Sequence, residues 1–435
     1  MTETQDSSSR YRPWQIKIFA ATWLAYVGYY FCRKAFYIVK PDIKDALDLS
    51  ASDLGDLGIA YLVAYMVGQF SSAFFGRKLG PKLLLLVGMG ISIGCNIVFG
   101  ASNSFWTVML FLALNGLAQG TGWPGCIGSL AFWFKRRQRG SVLGVWSTCY
   151  QFGSVAAGAY AAFLLGLWGW RSSFFGACVV LLVIWFLVLL LHPDRPERVG
   201  LEPLEDEEEE PEESTATAEA DTGEDQPAGR EPLGWTSQVV VTILMMGAVY
   251  FCIKFLRYAM WSWTTTFLRA NFSIKGDEAG YLSTVFDICG FAGVILAGFV
   301  TDRLFKGRRA FVAVAMLVLM TASFGLLYGL GSQSLTFFTL ALGLAGFGLY
   351  GPDSLISGVG AIDVGSKRGA LVAAGLINGM GSAGPVVQEL VISRRLDVEE
   401  GNLLPIFLML LAVAAAGTVL TGLLWLRSRA GKATL

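Results

Sequence analysis

The sequence predicts an all-α membrane protein of twelve spanning helices, arranged as two six-helix halves in tandem. Three observations carry that expectation. The chain is 54% hydrophobic and only 15% charged, with a mean hydropathy of +0.55, far from an ordinary soluble domain. Apolar runs of about 20 residues, the length that crosses a bilayer, begin near residues 14, 53, 82, 104, 141, 171, 235, 278, 310, 334, 369 and 402. The first half also resembles the second at a nearly constant offset.

Taken in order, polar residues 1–13 read as a cytoplasmic tail, and the length of the following run argues against a cleaved signal peptide. Runs one to six fill residues 14–192, the N-terminal bundle. Residues 193–234 read as an acidic, disordered cytoplasmic linker, because Glu202 to Asp225 concentrates charge and lacks the apolar content to fold. Runs seven to twelve fill residues 235–427, and 428–435 form a tail. Gly116-Leu117-Ala118, with Gly122 and Pro124, recurs as Gly343-Leu344-Ala345, with Gly348 and Pro352. Arg139-Gly140 recurs as Arg368-Gly369. Halves repeated in the same orientation imply a pseudo-two-fold axis along the membrane normal. Glycines gathered in the fourth and eleventh runs (Gly116, Gly120, Gly122, Gly125; Gly375, Gly379, Gly381, Gly384) let backbones approach closely in lipid.

The formal net charge of zero hides a segregation. With the N-terminus inside, outside segments carry only Lys40, Lys44, Arg171, Arg269, Lys275, Arg394 and Arg395 of the 33 bases. Four more fall within the membrane: Arg33, Lys34, Lys254 and Arg257. The rest are cytoplasmic, which puts both termini in the cytoplasm. All seven cysteines lie in apolar runs without a C-x-x-C and read as small packing residues. The single histidine, His192, ends the sixth run beside Pro193. It leaves no material for a histidine triad, a zinc site or a histidine proton relay inside the membrane.

Arg33 and Arg257 are the informative residues. A guanidinium in a membrane helix costs roughly 2.5–3.5 kcal/mol on insertion scales, so it persists by facing a polar cavity or a partner. Positions 33 and 257 lie at the repeat spacing, which sets them at equal depth on opposite walls of one cavity. Counting ~1.5 Å per residue from Trp14 carries Arg33 past the midplane. The first helix must therefore tilt, begin below the hydrocarbon, or continue past Phe36. Two guanidiniums offer planar forks to the oxygens of an anion. The alternative is a structural pair bridged to Asp287, Asp353 or Glu389. Lys34 and Lys254 are weaker candidates, because i,i+1 and i,i+3 neighbours do not all point one way. Tyr29, Tyr30, Trp123, Trp146, Tyr150, Tyr258, Trp261, Trp263 and Tyr350 either stack on a ligand or pack.

Tyr29-Tyr30-Phe31-Cys32-Arg33-Lys34-Ala35-Phe36 resembles the Y-Y-x-x-R-K-x-F of the organophosphate:phosphate antiporters of the major facilitator superfamily. Asn115-Gly116-Leu117-Ala118-Gln119-Gly120-Thr121-Gly122-Trp123-Pro124 with Cys126 is similar to that family's fourth-helix motif. Arg139-Gly140 with Val145-Trp146, Leu256-Arg257-Tyr258 with Trp263, Asp302-Arg303 with Gly307-Arg308, and Tyr350-Gly351-Pro352 extend the match over both halves. The resemblance implies the major-facilitator fold and a secondary transporter, not an enzyme. Such a protein exchanges an organic phosphate of the glycerol-3-phosphate, hexose-phosphate or phosphoglycerate type for inorganic phosphate.

The resemblance further implies substrate contacts from Arg33 and Arg257, helped by Lys34, Tyr30, Trp123, Tyr150 and Tyr350. Coupling or gating falls to Asp287, Asp302 and Arg303. It implies a monomer in a bacterial inner membrane, with the lipid bilayer and small phosphates as partners, no cofactor and no nucleic acid. The chain departs from the family pattern where Tyr150 replaces the fifth-helix histidine and Gln151 an asparagine. Gln69 aligns with the second-helix lysine, Ser262 replaces an acid, and Gly76-Arg77-Lys78 lacks the usual aspartate. These departures touch the organic half of the substrate and the coupling. A membrane sensor of sugar phosphate, or a proton-coupled carrier of another anion using Asp287, Asp353 or Glu389, stands as the alternative.

Overall fold

The computed structural model describes residues 3–204, 236–303, 309–355, 370–399 and 402–430, almost all of them helical. The first half contains α1 (Glu3–Ile38), α2 (Lys40–Leu47), α3 (Ala51–Leu79), α4 (Pro81–Ala101), α5 (Phe105–Gln119), α6 (Gly122–Trp133), α7 (Arg136–Trp146), α8 (Thr148–Trp168) and α9 (Trp170–Leu191). The second contains α10 (Ser237–Phe272), α11 (Gly276–Arg303), α12 (Arg309–Leu330), α13 (Leu335–Leu355), α14 (Ala370–Val398) and α15 (Leu404–Arg429).

Matched by the repeat, α1 with α2 corresponds to α10, α5 with α6 to α13, and α7 with α8 to α14. Among the described residues each half then has six segments. Among the described residues, eight helices are long and apolar enough to cross a membrane by length and composition. The first-half counterparts break where their sequence changes. Gly120-Thr121 interrupts α5 and α6, and Ser147 separates α7 from α8.

The first helix extends beyond its apolar run at both ends. It begins at Glu3, within the expected tail, runs through Ile38, and continues after a bend at Val39 as α2. Arg33 lies 19 residues beyond Trp14, and Arg257 lies 20 beyond Ser237, the start of α10. The linker boundary also moves. Pro196–Val199 form a 3₁₀ turn, Leu201 is buried, and Tyr11 Oη donates to the Glu202 carbonyl at 2.6 Å. Residues 193–204 are therefore docked, because Pro196 and Leu201 supply apolar contacts that the acidic stretch lacks. The acidic run from 205 onward lies outside the described residues.

The halves meet on the face opposite the two chain ends, where α3 packs on α14 and α8 on α11. A Cβ on Gly58 would meet the Glu389 carboxyl carbon at 2.8 Å, and one on Gly55 the Ser393 hydroxyl at 2.2 Å. Only glycine allows α3 and α14 to approach this closely.

Candidate substrate site between the two halves

Arg33 and Arg257 occupy opposite halves and are held differently. Arg33 donates from Nε to Gln119 Oε1 at 2.9 Å, and Tyr61 Oη donates to the same oxygen at 3.0 Å. Gln119 is oriented by Asn115 Oδ1 at 3.3 Å, and Asn115 by the Cys32 carbonyl at 3.2 Å. The Asn115 to Gln119 stretch is thus the seat of the first-helix arginine. The guanidinium lies over the rings of Tyr30 and Tyr65, at 5.2 and 4.8 Å. Gln69 donates to Tyr65 Oη at 2.9 Å, so the position aligned with a family lysine supports this ring. Among the described residues Arg33 has no carboxylate partner.

Arg257 lies over the Tyr350 ring at 4.4 Å and pairs with Asp353 at 2.5 Å. Tyr350 Oη donates to Asp287. The other Asp287 oxygen accepts Lys34 Nζ at 3.0 Å and Ser154 Oγ at 2.7 Å, and Trp261 Nε1 donates to Ser154 at 2.9 Å. Lys34 also lies over the Trp261 ring at 4.3 Å. Lys34 and Ser154 come from the first half, Asp287 and Trp261 from the second. Lys34 and Asp287 are each 1% exposed. The Lys34 ammonium is therefore engaged in a bridge between the halves. Tyr30 lies within electrostatic reach of both guanidiniums.

Trp123 and Tyr150 belong to an aromatic cluster in the first half, with ring centroids 5.9 Å apart. Tyr26 packs against Trp123 and Tyr150 at 6.3 and 5.1 Å. Trp123 keeps 39% of its surface exposed, leaving part of its ring uncovered. Tyr350, by contrast, is buried as the platform under Arg257. The side chains of Asp302 and Arg303 lie outside the described residues.

One site escaped sequence reasoning. Lys40 and Glu389, both 0% exposed, pair at 3.0 Å. Lys40 Nζ also donates to Ser262 Oγ at 2.9 Å and lies 3.4 Å from the Trp263 ring centroid, and Ser262 donates to Glu389. Lys40 is thus not an outside surface base but the fifth base buried in the bundle. The bend at Val39 turns α2 inward and aims Lys40 at the second half. Glu389, a lone acid in an apolar run, was the available signal, yet nothing local names its partner.

Three further contacts close the same face. Asp397 accepts from the Ala51 and Ser52 amides at 2.8 Å each, an anion at the N-terminus of α3. Arg394 pairs with Asp56 at 2.8 Å, and Arg269 with Asp45 and Asp42 at 3.0 and 3.2 Å. Partly buried Asp42 has its carboxyl pushed up by desolvation, against the lowering effect of Arg269.

The sequence pattern of the Major Facilitator Superfamily matches residues 22–388. The chain belongs to that superfamily. It is thus a multi-pass membrane transporter rather than an enzyme, with the major-facilitator fold. Its similarity to a probable hexose phosphate transport protein of Chlamydia pneumoniae is 28% identity over 84% of this chain and 82% of that protein. It is 27% identical to a glycerol-3-phosphate transporter of Bacillus subtilis, covering 86% and 84% of the two chains. It is 28% identical to the membrane sensor protein UhpC of Escherichia coli, covering 87% and 85%. These relatives fit the organophosphate:phosphate antiporter family within the superfamily. Among solved structures, an inward-facing, occupied bacterial homologue of the human lysosomal transporter Spinster matches with a TM-score of 0.72. That match is 14% identical and covers 97% of this chain and 99% of the other.

Proposed function

We propose that the protein exchanges an organic phosphate for inorganic phosphate by alternating access, with Arg33 and Arg257 holding the phosphate group. The observation that carries this reading is the asymmetry of the two guanidiniums. Arg257 is neutralised by Asp353, whereas Arg33 is braced by an amide and two aromatic faces and, among the described residues, meets no carboxylate. A bound phosphate, carrying between one and two negative charges near neutral pH, supplies the missing anion. It also draws the halves together, because its two arginines stand on different halves.

Alternating access is supported by where the inter-half contacts fall. With both termini cytoplasmic in a cell membrane, the face closed by these contacts is the outer one. Opening outward requires the Lys40–Glu389, Asp397–α3, Arg394–Asp56 and Arg269–Asp42 contacts to part while contacts form at the other face. Lys34 and Asp287 lie between the halves, so their bridge is available to respond to a bound anion. The similarity to UhpC favours a second reading, a sensor that binds the same ligands without productive flux.

Flux separates the two. Proteoliposomes loaded with inorganic phosphate should take up labelled phosphate and release it on addition of an external phosphate ester. Binding without exchange would establish the sensor reading. Competition only by phosphate-free anions would overturn the phosphate assignment altogether.

A further inference from the structure

We infer that Lys254, with Asn378 and Ser382, forms a second anion subsite that selects phosphate esters carrying an additional acidic group. This rests on the phosphate-exchange reading and assigns the organic end of the ligand. Lys254 stands three residues before Arg257 on α10, about 4.5 Å along the helix toward the face bearing the chain ends. Its ammonium donates to Asn378 Oδ1 at 3.0 Å and to Ser382 Oγ at 3.4 Å, both on α14, and lies 4.6 Å from the Tyr250 ring centroid. It is within electrostatic reach of Arg257 and Asp353.

The charge pattern makes Lys254 unusual. Lys34 pairs with Asp287, Lys40 with Glu389, and Arg257 with Asp353. Among the described residues, Lys254 and Arg33 are the intramembrane bases without a carboxylate partner. An uncompensated ammonium in a membrane protein is costly unless a polar cavity or ligand receives it. An amide and a hydroxyl occupy two of its three donors and leave one. Asn378 is itself exposed, so this end of the subsite is open rather than packed.

Arg33 and Lys254 together leave two positive charges unmatched beside the neutralised pairs. A phosphate on the arginines and an acid on Lys254 match both. The one-turn separation suits a short skeleton with phosphate at one end and a carboxylate, or a second phosphate, at the other. A neutral sugar or glycerol end leaves the ammonium unmatched. A charge-assisted hydrogen bond supports a preference of roughly ten- to a hundredfold.

The test uses the full chain in phosphate-loaded proteoliposomes and reads competition against labelled phosphate uptake. The competitors are glycerol 3-phosphate, 3-phosphoglycerate, a three-carbon bisphosphate and glucose 6-phosphate, each expressed relative to unlabelled phosphate. The unaltered protein should favour the doubly acidic esters at least tenfold over glycerol 3-phosphate, and comparing 3-phosphoglycerate with the bisphosphate separates carboxylate from phosphate. Lys254→Gln keeps a donor for Asn378 and removes the charge, so it should erase that ratio, whereas Lys254→Arg should retain most of it. Equal competition by all esters in the unaltered protein would overturn this inference and leave phosphate exchange standing. An unchanged ratio in Lys254→Gln would assign Lys254 to helix packing. Absence of both phosphate binding and phosphate exchange would overturn both readings.

Discussion

Removing the Lys40 ammonium should weaken the closed face opposite the chain ends far more than the fold. In Lys40→Met, Glu389 remains fully buried with only the Ser262 hydroxyl to donate to it. Breaking one side of a buried pair costs about 3–5 kcal/mol. Once the halves part, water reaches both groups, and an exposed pair is worth only about 0–1 kcal/mol. The penalty therefore falls on the closed state alone. At about 1.4 kcal/mol per tenfold, the open-to-closed ratio rises roughly a hundredfold to several thousandfold.

The assay places a cysteine at Ser393, which is fully buried against Gly55, after replacing the seven native cysteines. Its labelling by a membrane-impermeant maleimide should accelerate by at least about a hundredfold in Lys40→Met. The double variant Lys40→Met/Glu389→Leu removes both charges and should return most of the way to the parent rate. Unchanged labelling in the single variant, or a double variant as fast as the single, would refute the assignment of this pair as the closing contact.

Arg33→Lys and Arg257→Lys each replace a planar fork with a point charge and should weaken phosphate binding roughly ten- to a hundredfold, measured by equilibrium binding on correctly inserted protein. Near-parental affinity in either variant would make that arginine structural. His192, buried with its Nε2 on Ser129 Oγ at 2.8 Å, is held down at about 4 by desolvation. Its unfolded counterpart takes up a proton near 6.5. The folded protein therefore loses up to about 3 kcal/mol as pH falls from about 6.5 toward 4, with no change above that window. Thermal unfolding in detergent should show this acid sensitivity, and His192→Gln should flatten it.

Local chemistry made much of this protein legible in its sequence. A membrane helix satisfies its own backbone hydrogen bonds, so length and apolar content suffice to mark the spans, and the self-similarity of the chain suffices to pair them. The Tyr29–Phe36 and Asn115–Pro124 motifs could be read as sequence because each is a contiguous helical stretch. Their joint role, Gln119 bracing Arg33, needed α1 and α5 to be brought together.

The destination of each buried charge was not local. Lys34 meets Asp287 across 253 positions, and Lys40 meets Glu389 across 349. Spacing along a helix says which residues share a face, but not which neighbour that face meets. That depends on the rotation of each helix, on the bend at Val39, and on glycines such as Gly55 and Gly58 that bring α3 against α14. Hydropathy therefore determined by itself that a few bases lie within the membrane. Only the packing of the two halves decided that, among the described residues, Lys34, Lys40 and Arg257 meet a carboxylate while Arg33 and Lys254 do not, because an ion pair forms only where two helices bring opposite charges within reach.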